Sequence, residues 1–418
     1  MMTREQNDRL CRVGPGTPMG ALFRRFWLPV TTSERVAEPG GRPRAERLLG
    51  QDFVVFRGKD GKVGVLDELC MHRGASLALG RVEDCGIRCL YHGWKFGVDG
   101  SVLDIMNLPA GKRPAHLRAP AYPAVEAGGI VWTYIGPKEK QPPFRRFKFM
   151  DLPENQRVLM RVDCHFNWVQ ATESGLDSSH VGILHSNAAR PGWAGESTAT
   201  VGALEDTGPA LEIEDTEFGY HYAAFRKGTN GGANNVRIVP FIMPSGRIIP
   251  GGALQGPNNA TIVFEIPIDD EHTATYTVRY GSAPITRESR LRETGFDDLT
   301  YYDAEKQRFL FTREDYARQR REAMDRNWTG FHGIALEDAI ISTSMGPIYD
   351  RSKEHLVASD IAVVRFRRRV LDSVERLERG EDPVGVSVDA SLISSIDAPA
   401  PAQGHWRTLI PTHRVATA

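Results

Sequence analysis

Three residues with ligating side chains stand close together in the otherwise small and apolar stretch ESGLDSSHVGILH: Asp177, His180 and His185. Carboxylate and imidazole groups hold divalent transition metals, so the set is a candidate metal site if the backbone brings the groups to one point. Asp177 and His180 are three apart and share a helix face, whereas His180 and His185 are five apart, about 140° around an ideal helix. The imidazoles then converge only where the helix widens to a π-type turn or ends between them, with Gly182 the natural break. The plainer reading makes Asp177 the N-cap of a helix starting at Ser178 and leaves the histidines as core or surface residues.

A second constellation lies upstream. Cys70-Met-His72, sixteen intervening residues and Cys89-Leu-Tyr-His92 form two tight Cys/His pairs. Such pairs suit a site built on two loops, because each loop supplies two ligands and the fold only has to bring the loops together. Two cysteines and two histidines are also a structural zinc set. The C-x-H and C-x2-H spacings, flanked by HRGASL and YHGWKF, match a [2Fe-2S] cluster with thiolates on one iron and imidazoles on the other. Gly74 and Gly93 would let backbone amides approach the cluster sulfurs, and Tyr91 and Trp94 would shield it.

The composition bounds the rest. The chain has 418 residues, 41% hydrophobic and 25% charged, with a formal net charge of -1. That length predicts two domains, and the balance lacks the basic excess that nucleic acid or anionic lipid requires. The polar start MMTREQNDRL and the lack of a long apolar run predict no membrane span and a cytoplasmic protein. Five cysteines, Cys11, Cys70, Cys85, Cys89 and Cys164, are too few and too scattered for a disulfide framework.

The elements that must position these residues follow from periodicity. Thr3 with Gln6 has capping-box spacing and opens a helix over 3–12, within an N-terminal helical segment taken as 1–25. Short β-prone runs (FWLPV, DFVVF, VGVLDE, GIRCLY, GGIVWTYIG) separated by Gly, Pro and Asp predict a small antiparallel β domain over 26–140, followed by the linker PKEKQPPFRR. A larger α+β domain is placed over 141–390: helical composition around HFNWVQATESGL, strands at 209–226, 236–253 and 260–282, and a charge-dense stretch at 286–326 read as solvated surface, with an exposed helix or a mobile cover over a site as the alternatives. Helices are also expected at FHGIALEDAIISTSMG and over EHLVASDIAVVRFRRRVLDSVERLERG, whose apolar stripe is Leu356, Val363, Phe366, Val370, Val374 and Leu377. Residues 391–418 read as a loosely packed arm.

CMHRGASLALGR with CLYHGWKF resembles the Rieske domain, and NWVQATESGLDSSHVGILH resembles the E-x3-D-x2-H-x4-H motif of Rieske oxygenases. The resemblance implies a Rieske domain followed by a helix-grip (START-like) catalytic domain. It places Cys70 and Cys89 on one iron of the cluster, and His72 and His92 on the other. His180 and His185 would hold a mononuclear Fe(II), with Asp338 as third ligand, its neighbour Glu337 as rival and a surface acidic pair as the alternative. Asp177 would bridge to His92 of the adjacent chain in a ring of subunits, with Glu173 one turn earlier as a possible support. Dioxygen is the implied co-substrate. VGPGTPMG lacks the strand-turn-helix setting of a dinucleotide site, so NAD(P)H would act only through a separate flavin or iron-sulfur reductase, with or without a ferredoxin.

The ends of the chain, TREQNDRLCRVGPGTPMGALFRRFWLPV and GPIYDRSKEHLVASDIAVVRFRRRVL, resemble the phthalate 4,5-dioxygenase branch, which includes aryl-ether O-demethylases and forms homotrimers or paired trimers. An aromatic, carboxylated substrate is implied for a terminal oxygenase that hydroxylates or dihydroxylates it, or for an O-demethylase that releases formaldehyde from a methoxylated one. Arg190, Arg226, Arg237 and Arg247 are the candidate anion partners in the catalytic domain. An electron-transfer iron-sulfur protein would need the cluster alone, and a zinc-stabilised binding protein neither iron.

Overall fold

The computed structural model describes residues 2–109, 116–186, 206–228, 234–251, 259–317 and 320–411. The chain forms two compact units, one of Met1–Arg12 with Arg145–Ala418 and one of Val13–Phe144. The second junction falls inside PKEKQPPFRR, whereas the first divides the segment 1–25 and gives its opening helix to the larger unit. That helix, Arg4–Cys11, carries the expected reciprocal capping box between Thr3 and Gln6. Asn7 fixes it there by donating to the Tyr349 carbonyl at 3.0 Å.

The smaller unit is built of short antiparallel strands in three sheets. The sheet Arg81–Glu83, Gly86–Arg88, Trp94–Gly97 and Val102–Ile105 carries one metal-type loop between its second and third strands. Val54, Phe56, Leu66, Ile87 and Phe96 pack beneath both loops together with Cys70 and Cys89.

In the larger unit each predicted long strand is a hairpin. The region 209–226 divides into Ala210–Thr216 and Gly219–Arg226, the next into Asn235–Ile242 and Gly246–Pro250, and the last into Ala260–Pro267 and Thr273–Tyr280. These strands follow one another in one antiparallel sheet, which continues into Arg157–Cys164. The register pairs Ala260 with Tyr280 and Pro267 with Thr273, and Ala260–Pro267 is buried along its whole length.

Two expectations for this unit change. The long helix runs over Ile361–Glu378, so Leu356 lies before it and is 42% exposed, while Val363, Phe366, Val370 and Val374 form the buried stripe. The segment after 390 is not loose among its described residues. Ile396–Pro399 pairs with Asn235–Ile238, and buried Trp406 donates to Glu212 at 2.7 Å.

Glu173 turns to two arginines rather than to solvent. Arg351 donates to both its oxygens at 2.8–3.1 Å, and Arg367 donates to it at 2.6 Å while also holding Glu354. Burial opposes the charged carboxyl, and the two guanidinium groups outweigh that cost and hold its pKa below the usual range. This stabilisation is present above the unfolded-state pKa and is lost as pH falls through the depressed folded-state value. Glu173→Leu leaves two buried guanidinium groups short of their counter-charge and is expected to cost about 3–5 kcal/mol, read as a lowered urea midpoint at neutral pH.

Candidate metal centres and the adjoining cavity

In the smaller unit the two Cys/His loops are close conformational copies. The Cys70 amide donates to Ala75 O at 2.9 Å and the Gly74 amide to Cys70 O at 2.8 Å; Cys89 with Trp94 and Gly93 with Cys89 repeat the pattern at 2.8 and 3.1 Å. Both glycines sit at φ +72°, a left-handed conformation in which a side chain is strained. Their own amides are therefore spent on closing the loops. The amides that reach Cys70 Sγ are those of His72 and Arg73.

The Cys70 thiol is pushed up to about 11 by burial, with the adjoining Cys89 sulfur adding to the effect. Two thiols packed this closely need a cation to hold them as thiolates. The His72 and His92 rings lie 4.6 Å apart at 76°, and buried His92 Nδ1 has no hydrogen-bond partner. The donor set therefore fits a thiolate- and imidazole-bound cluster. Trp94 shields it, stacked on His72 at 4.8 Å with its Nε1 donating to Asn107, whereas Tyr91 is 56% exposed. All five cysteines are unpaired.

In the larger unit the question of how His180 meets His185 is resolved by an early helix end. The helix Trp168–Leu176, capped by Asn167, stops before either histidine, and neither a π-turn nor a break at Gly182 is needed. Asp177 takes an extended backbone, and its Oδ1 accepts from the Ser179 amide and hydroxyl, both at 2.7 Å. Its Oδ2 accepts from the His180 amide at 3.2 Å, which opens a 3-10 turn over His180–Gly182. Asp177 is thus the C-cap residue of the preceding helix and not the N-cap of one starting at Ser178; its side chain anchors the Ser179 and His180 amides at the start of the short turn. The same Oδ2 lies 3.4 Å from His180 Nδ1. Burial works against its charge, but the His180 and Ser179 contacts prevail and lower its pKa to about 2.

His180, His185 and Asp338 offer ligand atoms that all lie within 4.8 Å of one another. His180 Nε2 is 3.6 Å and His185 Nε2 3.1 Å from Asp338 Oδ1. Neither His185 Nε2 nor Asp338 Oδ1 has a hydrogen bond of acceptable geometry, although both are buried. Two buried ligand atoms 3.1 Å apart and without a hydrogen bond fit a cation held between them. Burial opposes protonation of His185, yet Asp338 and Glu337 raise its pKa to about 9, the response of an imidazole surrounded by carboxylates where a cation belongs. Glu337 lies on the other side of the ring, its Oε2 2.7 Å from His185 Nδ1.

The Asp338 helix, Ile334–Ser344, is fastened to the helix Trp168–Leu176 by Gln170, whose Nε2 donates to Ser342 O at 3.1 Å and Gly346 O at 2.9 Å. Gln170 was not legible as a site residue. Beside the triad lies a cavity of about 240 Å3, bordered by Asp177, His180, His185 and Asp338 and walled by apolar groups such as Val162, Val263 and Phe296. Four arginines, Arg237, Arg247, Arg279 and Arg290, line it against two glutamates beyond the triad, Glu265 and Glu293.

Arg247 donates to Glu265 at 2.9 Å and keeps Nε and Nη1 unpartnered though buried. Its guanidinium lies where a Cβ on Gly175 would sit, at 1.9–2.2 Å, so the bare glycine one turn before the triad loop makes room for it. Arg290, 7% exposed, comes from the charge-dense stretch read first as solvated surface; its helix Arg287–Thr294 turns one face to the cavity. Arg226 does not line the cavity and braces the loop, donating to Ser178 O at 2.6 Å. Arg190 lies outside the described residues.

Comparison with known proteins agrees with both halves of this architecture. Residues 26–123 match the Rieske [2Fe-2S] domain, and residues 133–416 match the LigXa C-terminal domain like family. The phthalate 4,5-dioxygenase oxygenase subunit of Pseudomonas putida is 38% identical, over 97% of this chain and 94% of its own. The 5,5'-dehydrodivanillate O-demethylase oxygenase subunit of a Sphingobium species is 30% identical, over 96% and 87%. Among solved structures, the QL mutant of NdmA of Pseudomonas putida CBB5 with caffeine superposes with a TM-score of 0.64 at 16% identity, covering 93% of this chain and 99% of that one, which supports the fold.

The chain belongs to the Rieske oxygenases, in the branch of the phthalate 4,5-dioxygenase and O-demethylase oxygenase subunits. It is an oxidoreductase, the terminal oxygenase of a multicomponent system, which sets aside the pure electron carrier and the zinc-stabilised binding protein. Among the described residues no helix is long and apolar enough to cross a membrane.

Proposed function

We propose that the protein oxygenates an aromatic acid whose carboxylate is held on the cavity arginines, with Cys70, His72, Cys89 and His92 binding the cluster and His180, His185 and Asp338 the mononuclear iron. The observation that carries this reading is Arg247, whose Nε and Nη1 are buried without a partner in the wall of the cavity that holds the triad, with Arg237 and Arg279 lining the same cavity. When bound, ferrous iron supplies dioxygen activation and the cluster supplies single electrons. The chain's own work is positional. Asp338 and the two imidazoles hold one side of the reacting space, the apolar walls exclude water from the ring, and Arg247 offers two free donors to an anion.

Electrons come from a separate reductase drawing on NAD(P)H, directly or through a ferredoxin. This is supported by the carbazole 1,9a-dioxygenase oxygenase, similar in fold with a TM-score of 0.56 and solved with its ferredoxin, and by exposed Leu69, Leu90, Tyr91 and Met106 on the cluster-bearing unit. The resemblance supports a homotrimer or paired trimers, in which the cluster of one chain would serve the iron of the next through Asp177. The unpaired cysteines suit a reducing compartment such as the cytoplasm.

The test is turnover of the reconstituted system on carboxylated aromatics and their neutral analogues. A cis-diol or phenol from the acid, with the neutral compound much poorer, is expected; equal turnover of both would overturn the anionic class. The 30% identity to an O-demethylase subunit favours a second reading, in which a methoxylated acid yields formaldehyde. Arg247→Met is expected to raise KM for the acid about 10–100-fold with a smaller change in kcat, because a charged hydrogen bond to bound substrate is lost. The KM of a neutral analogue should hardly move.

A further inference from the structure

Consecutive residues on a helix point about 100° apart, so the helix Ile334–Ser344 cannot aim Glu337 and Asp338 at the same atom. Asp338 faces the triad, and Glu337 turns beneath His185. The two partners are equally secluded, each side chain 3% exposed, and the contact is short at 2.7 Å. The remaining oxygen of Glu337 accepts from the Thr329 hydroxyl at 2.5 Å. Both carboxylate oxygens are therefore committed, one to the imidazole and one to the group that holds the carboxylate still.

Asp177 differs in this respect. It serves the Ser179 amide, the Ser179 hydroxyl and the His180 amide before it reaches His180 Nδ1 at 3.4 Å. Its charge is shared among a turn, whereas Glu337 spends one oxygen on a single imidazole. A carboxylate accepting from Nδ1 fixes the tautomer that leaves Nε2 unprotonated and raises the basicity of that nitrogen. His185 Nε2 is the atom that faces Asp338 Oδ1.

We propose that Glu337 is the positioning residue of the mononuclear centre: through its hydrogen bond to Nδ1 it holds the His185 ring and tautomer for metal binding and makes His185 the stronger of the two imidazole donors. The proposal rests on the His180–His185–Asp338 reading, and the experiment separates the two.

Protein stripped of its mononuclear metal, cluster retained, is titrated anaerobically with Fe(II), and in parallel with Co(II), whose visible bands report ligand strength and geometry. His185→Ala should lose tight binding; if it binds like wild type, the triad reading itself fails. With that control in hand, Glu337→Gln keeps an acceptor oxygen and the side-chain shape but not the charge. It is expected to weaken Fe(II) binding about 10-fold and to shift the Co(II) bands, and Glu337→Leu to weaken binding about 100-fold. Unchanged cluster absorbance and circular dichroism show that the variants are folded. Should the Leu variant misfold, the near-isosteric Gln variant decides alone: wild-type affinity together with an unshifted Co(II) spectrum would overturn the proposal.

Discussion

Asp338→Ala is expected to give a folded protein that keeps its cluster and has lost oxygenation. Asp338 Oδ1 is the atom on which both histidines converge, at 3.6 and 3.1 Å, and it is the only anion of the set. Its pKa is lowered, with the two histidines and Arg247 overcoming the burial that acts against its charge, so it is available as a carboxylate ligand. Two neutral imidazoles without it make a weak site for Fe(II). Glu337 cannot substitute, because its oxygens are engaged by His185 Nδ1 and Thr329 on the far side of the ring. The loss should exceed the ~10–100-fold cost typical of removing an outer partner of a metal ligand. Acid-labile sulfide should stay at its wild-type level while total iron falls by the mononuclear share, and product formation should drop to background. Full iron content in the variant would return the ligand question to Glu337.

The contrast between those neighbours marks how far a sequence can be read. That the pairs Cys70/His72 and Cys89/His92 form two matching loops was legible because all four residues lie in short segments whose glycines impose the turn locally. The antiparallel sheet was legible from β-prone runs broken by turn residues, though each long run proved to be a hairpin. Convergence of His180 and His185 was only conditional, since it depends on the helix ending at Leu176, and nothing in LDSSH distinguishes a capped short turn from a helix start. Glu337 and Asp338 have the same chemistry side by side, and which one meets the two Nε2 atoms depends on the seating of their helix, which Gln170 ties to the helix Trp168–Leu176. The arginines were least legible. Arg247 reaches the cavity because Gly175, distant in sequence, leaves room for it, while Arg226 was drawn away by the carbonyl of Ser178. Arg290 was concealed in a run of charges whose composition describes its exposed neighbours correctly and Arg290 itself wrongly. The Ala- and Pro-containing run after 390 likewise gave no warning that Trp406 is buried.

Asp177→Asn is expected to leave both metal sites loaded and to slow electron delivery about 10–100-fold, the range for replacing the carboxylate that orients a ligand histidine. The aspartate presents acceptors on both oxygens. Oδ1 receives the Ser179 amide and hydroxyl, and Oδ2 receives the His180 amide while facing His180 Nδ1. Asparagine has a single acceptor oxygen. If that oxygen keeps the two Ser179 bonds, the new NH2 group points at the His180 amide, a donor, and toward His180 Nδ1; the turn then loses one of its anchors and the ring loses the charge that lies 3.4 Å from it. The triad atoms themselves are untouched, and Glu337 still holds His185, so Fe(II) affinity should change far less than in the Glu337 variants. The discriminating measurement is rapid mixing of protein carrying a reduced cluster and Fe(II) with substrate and oxygen, following reoxidation of the cluster by its visible absorption. Slow reoxidation with wild-type iron content and cluster spectrum would assign Asp177 to the path between the centres, and reoxidation at the wild-type rate would confine it to capping the turn that carries His180.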